Sequence, residues 1–378
     1  MTPLPAWTPV GQPPPPRTPR GQLAAARPPF AVLAAIFVLA NFILASAAPC
    51  AAAKVEIKLA TQAPENTPWH KLLVDMNTEW QALSGGDVSL VIYPGGVSGD
   101  ESDIIRKIRI GQLHAGALTV SALTDLDDYF SVFQIPLFFD SWDELNYVLE
   151  DLTPLLVQRL DQKGFVWLTW GHVGWVHFFT KSPVARINDL RKLKIFTWAG
   201  NDRMVQWWKR NGFNPVALAL PDALQGLRTG LIETMISPPL AALSLQWFKE
   251  APNMIDIGLV PMVGAIVVSK RTWERIDEKH RGPLLAAAAS VGAQLQSHIP
   301  GMDQFAITTM KGQGLTVLEI RDSPHSAEWL AEAIKFADEM RGDMVPTEIF
   351  DRALQKRDEF RARRSSQQQQ PAATGTVP

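Results

Sequence analysis

Segments with the two-residue period of a strand alternate with segments of helical period from Val55 onward, and this alternation limits the fold more than any other feature of the chain. Val55 to Ala60 alternates as a first strand. Trp69 to Leu83 follows with apolar residues at Trp69, Leu72, Leu73, Met76, Trp80 and Leu83, a helical face closed by Gly85-Gly86. Val88 to Tyr93 reads as a second strand, Asp100 to Ile110 as an amphipathic helix ended by Gly111, and His114 to Val120 as a third strand. Ser141 to Leu156 reads as a helix, with Ser141 as N-cap and Glu144 in capping-box register, before a strand at Phe165 to Trp170. Strands interleaved with helices in this way imply an α/β protein with parallel, doubly wound strands.

The middle of the chain is aromatic. Trp175, Val176, Phe178 and Phe179 form a strand-like run punctuated by Ser182-Pro183. A turn and short helix at Asn188-Asp189-Leu190 lead to a second run, Leu193 to Phe196, ending at Trp198. Helices are expected at Asn201 to Asn211, from Pro221-Asp222 to Thr229, and at Pro239 to Phe248. Strands are expected at Leu231 to Ile236, Pro261 to Ser269 and Leu315 to Ile320. Trp273 to Gly312 reads as a long helical region interrupted at Gly282-Pro283 and Pro300-Gly301, and further helices reach about Arg363.

The termini read differently. Arg17, Arg20 and Arg27 are the only charges in the first fifty residues, Phe30 to Leu44 is apolar apart from Asn41, and Ala45-Ser46-Ala47-Ala48 follows. That order is an export signal and leader over 1–53, too short to be expected as a membrane span. The single cysteine, Cys50, gives no disulfide framework, and lipid anchoring through it is the alternative to simple cleavage; Pro49 before it fits acylation poorly. Residues 361–378, with a glutamine run, are expected to be a disordered tail. Beyond the leader, 33 basic residues face 38 acidic ones, which excludes a basic nucleic-acid-binding face.

No catalytic constellation is legible. The histidines are scattered, and His172 and His177 fall on opposite faces of a strand without a neighbouring carboxylate or cysteine, which argues against a metal. Ser98 is out of nucleophile-elbow register, and Gly312-Gln313-Gly314 lacks the third glycine of a dinucleotide loop. The expectation is a binding protein without cofactor. Most of the thirteen tryptophans are read as core; Trp198 and Trp175, at strand ends, are the better ligand-site candidates.

Taken in order, YPGG, Gly-Asp-Glu, IRIGQLHAG, IPLFF, VARINDLRKLKIF and GLIETMISPPLAAL make the chain from about Val55 to Phe350 resemble the periplasmic substrate-binding subunits of TRAP transporters. The resemblance implies a two-lobed, periplasmic-binding-protein-like α/β fold with a ligand cleft between the lobes and long helices linking them. Lobe one would be 54–173 with 261–300, and lobe two 174–260 with 301–360. The lobes would close on a small molecule by hinge bending and hand it to TRAP membrane subunits, or alternatively to a helical-repeat periplasmic partner. A ligand-sensing or scaffold protein on the same fold is the rival reading, as is a carboxylate binder using a different arginine.

This sequence departs from that family where the ligand should sit. An arginine that pairs with a substrate carboxylate would fall on Phe196, and a second close to Val176. Phenylalanine cannot imitate a bidentate guanidinium. The expected wall is Phe196, Trp198, Trp175 and Phe178, with Ser237 and Met235 from the GLIETMISPP region and Trp69, Gln62 and Glu65 approaching from lobe one. Arg203 is a lone cation nearby, read first as a solvated helix-start residue and second as a ligand clamp. Such a wall suits a neutral or apolar ligand, or a cation held over ring faces.

Overall fold

The computed structural model describes residues 54–369; the expected export signal, Cys50 and the end of the tail from 370 lie outside them. The first part of the chain runs β1 (Val55–Thr61), α1 (Pro68–Leu83), β2 (Val88–Tyr93), α2 (Glu101–Arg109), β3 (Ala115–Thr119), α3 (Trp142–Gln162) and β4 (Phe165–Trp175). It continues as β5 (His177–Thr180), β6 (Lys194–Trp198), α4 (Asp202–Arg210), β7 (Asn214–Leu218), β8 (Thr234–Ser237), α5 (Pro239–Ser244), β9 (Asn253–Asp256) and β10 (Pro261–Ser269). α6 (Glu278–Lys311), β11 (Thr316–Glu319), α7 (Ser326–Met340) and α8 (Thr347–Gln369) complete it. Among the described residues no helix is long and apolar enough to cross a membrane.

These strands form two sheets, β2-β1-β3-β10-β4 and β11-β9-β5-β8-β6-β7, one for each lobe. The alternation read in β1 is real, since Val55, Ile57 and Leu59 are buried while Glu56 is exposed. The expectation of parallel strands needs correction. β1 runs parallel to β2 and β3, but β10 is antiparallel to β3 and β4, and β5 is antiparallel to β8 and β9. The antiparallel strands flank the points where the chain leaves one lobe for the other.

Those crossings lie side by side. The chain passes from β4 to β5 through Val176 and returns from β9 to β10 through Leu259 and Val260. The Val176 N–H donates to the Val260 carbonyl at 2.9 Å, and the Leu259 N–H donates to the Val176 carbonyl at 2.8 Å. Just before the first crossing, Gly174 has φ +144°, and a Cβ there would lie 2.5 Å from Pro238 Cβ, so the position requires glycine. α6, at 34 residues roughly 50 Å long, packs against β4 and α1 of the first lobe and α5 of the second. It runs unbroken through Pro283 and Pro300, where interruptions were expected. Burial of Leu284, Val291, Leu295, Ile299, Ala306 and Met310 along one stripe outweighs the missing backbone donors.

The C-terminal segment also differs from expectation. The tail expected to be disordered from Arg361 is helical to Gln369, and α8 packs against α3, a first-lobe helix, not on the second lobe. Two contacts explain it. Arg361 grips the buried Glu144 through both carboxylate oxygens at 2.9 and 3.0 Å, and Tyr147 packs on Phe360 with ring centroids 5.6 Å apart. α7 belongs with the second lobe, where Phe336 meets Trp207 edge-on at 5.0 Å.

Candidate functional site

The parallel strands β1, β3, β6 and β8 end at Thr61, Thr119, Trp198 and Ser237, and all four residues line a hollow between the lobes. Open α/β sheets bind ligands outside the carboxyl ends of their strands. The hollow has two compartments. The first, about 140 Å³, is bounded by Trp69, Leu73 and Glu101 from lobe one and by Met235, Trp247 and Leu245 from lobe two. The second, about 130 Å³, lies between Val120, Phe133 and Gln134 on one side and Val176, Phe196, Met204 and Trp207 on the other. Thr119, Trp198, Ile236 and Met262 line both, so the compartments meet at a waist.

Each wall is set by its local structure. Thr67 caps α1 by accepting from the His70 N–H, and Pro68 begins the helix, which places Trp69 in the first turn. Its indole N–H donates to the His172 carbonyl at 3.3 Å, bracing the ring against β4. Trp198 stands edge-on to Phe196 with centroids 5.5 Å apart. Ser237 is buried and its hydroxyl donates to the Pro238 carbonyl at 2.9 Å, so this polar group serves its own loop.

Charge is scarce here. Among the described residues no lysine or arginine lines either compartment, and Glu101 is the one carboxyl that does. Its two oxygens accept from the Thr119 N–H at 2.7 Å and the Thr119 hydroxyl at 2.5 Å, which ties the start of α2 to the end of β3. Burial pushes the Glu101 carboxyl up to about 7, against the opposing pull of those two hydrogen bonds. His172 is held neutral, lowered to about 4 by burial, with Nε2 2.9 Å from Asn146 Oδ1. Among the described residues no three of His, Cys, Asp and Glu gather as metal ligands would.

Of the expected site residues, the structure brings together Trp69, Met235, Ser237 and Trp198 in the first compartment and Phe196 and Trp198 in the second; Gln62 also lines the first. Four candidates fall elsewhere. Trp175 turns away from the hollow and packs edge-on against Trp142 at 5.1 Å. Phe178 on β5 is fully buried, 6.3 Å from Trp329, because both faces of that short strand are covered. Arg203 sits 3.0 Å from Asp128 and donates to the Asp343 carbonyl, an ion pair and not a clamp on the hollow. Glu65 is exposed and lines neither compartment. Glu101, Gln134, Trp207 and Trp247 were not legible as site residues. Trp207 and Trp247 sit in apolar runs that read as core, and Glu101 and Gln134 give no local signal.

A family model described as bacterial extracellular solute-binding protein, family 7, matches residues 59–342. The C4-dicarboxylate-binding periplasmic protein DctP of Rhodobacter capsulatus is 21% identical over 313 residues, 82% of this chain and 93% of its own. Among solved structures, DctP7 of Bordetella pertussis, an extracytoplasmic solute receptor binding pyroglutamic acid, superposes with a TM-score of 0.74 at 19% identity, covering 80% of this chain and 99% of its own. A TRAP periplasmic solute-binding protein of Xanthobacter autotrophicus with bound β-D-galacturonate gives 0.73 at 19% identity over the same shares. The two sheets, their paired crossings and the match over most of the chain agree, and the chain belongs to the bacterial extracellular solute-binding protein family 7, the small-molecule receptors of TRAP transporters and not a family of enzymes.

Proposed function

We propose that this receptor captures a small neutral or apolar ligand by lobe closure and delivers it to TRAP membrane subunits. A single observation carries the reading: Phe196, where the resemblance expects a carboxylate-binding arginine, and Val176, close to where it expects a second, both line an apolar compartment, and no lysine or arginine among the described residues lines it in their place. A carboxylate moved from water into such a site would lose its hydration with no countercharge, a cost of several kcal/mol or more. Glu101 adds negative charge in proportion to its ionisation and so disfavours an anion further. In this respect the chain differs from the Bordetella and Xanthobacter receptors, whose ligands carry a carboxyl group.

No bond is made or broken in this function. The ligand binds the closed arrangement more tightly than the open one, and that difference in affinity drives closure. Native mass spectrometry of protein purified from its host is expected to reveal a co-purified molecule without an acidic group. Calorimetric titration with succinate and galacturonate is expected to give no heat of binding. Micromolar binding of either acid would overturn the reading.

A further inference from the structure

Two residues that line the second compartment each carry a polar atom that nothing in the protein satisfies. Gln134 Oε1, an acceptor, and Trp207 Nε1, a donor, are both buried without a hydrogen-bond partner, and both residues line this compartment. Trp207 as a whole is 2% exposed. Of the neighbouring polar side chains, Thr119 is engaged with Glu101, and Asn201 with Ser121 and the Met204 N–H. His172 Nδ1 is likewise unpartnered and its residue lines the first compartment, while the unpartnered atoms on Trp167, Trp175, Thr234, His280 and Glu328 belong to residues that line neither. Native proteins leave few such groups unpaired, because a buried donor or acceptor without a partner costs the desolvation it underwent.

Gln134 ends the turn Asp128–Gln134 of lobe one, whereas Trp207 stands on α4 of lobe two. Resting on the neutral-ligand reading above, we propose that these two residues form a polar subsite, one half from each lobe. The subsite takes an uncharged group that both accepts and donates a hydrogen bond, such as a carboxamide or a hydroxyl. The group accepts from the Trp207 indole N–H and donates to the Gln134 amide oxygen. Only the closed arrangement offers both partners at once, so this group links specificity to closure. The rest of the ligand extends past the Trp198 waist into the first compartment.

The test uses four related probes against the full mature protein: cyclohexanecarboxamide, cyclohexanemethanol, N,N-dimethylcyclohexanecarboxamide and cyclohexanecarboxylate. Wild type is expected to bind the first two about tenfold more tightly than the dimethyl amide, which cannot donate. Gln134→Met should remove about that tenfold preference while leaving the dimethyl amide's affinity unchanged, whereas Trp207→Phe, which deletes the donor that all three neutral probes accept from, should weaken all three by about tenfold and keep the preference. If Trp207→Phe does not fold, Gln134→Met decides alone. Equal affinity for the carboxamide and its dimethyl form, unaltered binding by the folded variants, or binding of none of the neutral probes overturns the subsite. Tightest binding of the carboxylate overturns the neutral-ligand reading as well, which distinguishes the two failures.

Discussion

Arg203 on α4 of the second lobe lies 3.0 Å from Asp128 of the first, and two residues earlier Asn201 Nδ2 lies 3.5 Å from Ser121 Oγ. These are bonds between the lobes beside the second compartment, and opening the hinge must break them. Both members of the ion pair are about half exposed, so its worth is about 0.2–1 kcal/mol. Arg203→Ala should therefore shift the ligand-free protein toward the open form and weaken ligand binding by up to about fivefold. The difference between variant and wild type should shrink in 1 M salt, roughly a 3 Å screening length. Small-angle scattering that shows the same radius of gyration for both proteins at low salt would refute it.

Asp303 on α6 accepts backbone hydrogen bonds from Trp175 at 3.0 Å and Leu240 at 3.2 Å, pinning the first crossing and the start of α5 to the linking helix. Burial pushes its carboxyl up to about 7, only partly opposed by those two bonds, whereas the unfolded chain titrates near 4. Between about pH 4 and 7 the native state thus holds a proton that the unfolded chain has released. The residue's contribution to stability is greatest below that interval and declines as pH rises through it. Glu101 behaves in the same sense. Asp303→Asn should flatten the fall in urea midpoint between pH 4.5 and 7.5, and an unchanged slope would show that Asp303 does not carry the proton.

Phe196→Arg restores a cation at the place where the resemblance expects one. Phe196 is 1% exposed, so the unliganded variant should lose roughly 2–4 kcal/mol of stability. Succinate or galacturonate should then raise the melting temperature of the variant and of Phe196→Arg combined with Val176→Arg, but not of wild type. A wild-type response equal to that of the variants would count against the neutral-ligand reading.

How much of this was legible can be seen at three residues. Ser141 and Glu144 announce a helix start, and the structure has Ser141 Oγ accepting from the Glu144 N–H at 3.2 Å; local spacing suffices for a cap. Phe196 was placed in the site by its position relative to a family pattern, and it lines the second compartment. Phe178 was placed there too and is core. β5 is buried on both faces, His177 to Thr180 alike, so an aromatic there is core whichever way it points, and that double burial comes from pairing with β8 and β9, not from a local signal. The short strands β7 and β9 went unread for a similar reason: Asn214 and Asn253 open them, and what makes them strands is pairing with β6, and with β5 and β11. Gln134 and Trp207 join the site only because two lobes close on each other.

Phe178 and Trp198 therefore separate core from site. Phe178→Ala removes a buried ring packed on Trp329 and should cost about 3–5 kcal/mol, while the folded variant keeps its co-purified molecule in native mass spectrometry. Trp198→Ala, lining both compartments, should lose that molecule at a smaller cost in stability. Loss of ligand by folded Phe178→Ala, or its retention by Trp198→Ala, would reverse the assignment.

Arg361 gives the final test, because it explains why the expected tail is a helix. Glu144 is 3% exposed at its side chain, accepts both Arg361 hydrogen bonds, and also receives the Asp140 N–H at 3.3 Å. Removing the guanidinium leaves a buried carboxylate with one weak partner. Arg361 itself is 39% exposed, so water can partly replace it, and the penalty for Arg361→Ala is about 1–3 kcal/mol, not the larger value of a fully buried pair. Glu144→Gln in the same background should recover part of the loss, since the neutral amide needs no countercharge. Truncation before Arg361 should cost at least as much and should expose α3 to hydrogen exchange along the face that α8 covers. If Arg361→Ala melts with wild type and α3 stays protected, then α8 is held by its other contacts with α3, among them Arg352 with Asp151 at 2.7 Å and the Tyr147 hydroxyl with Glu359 at 2.9 Å.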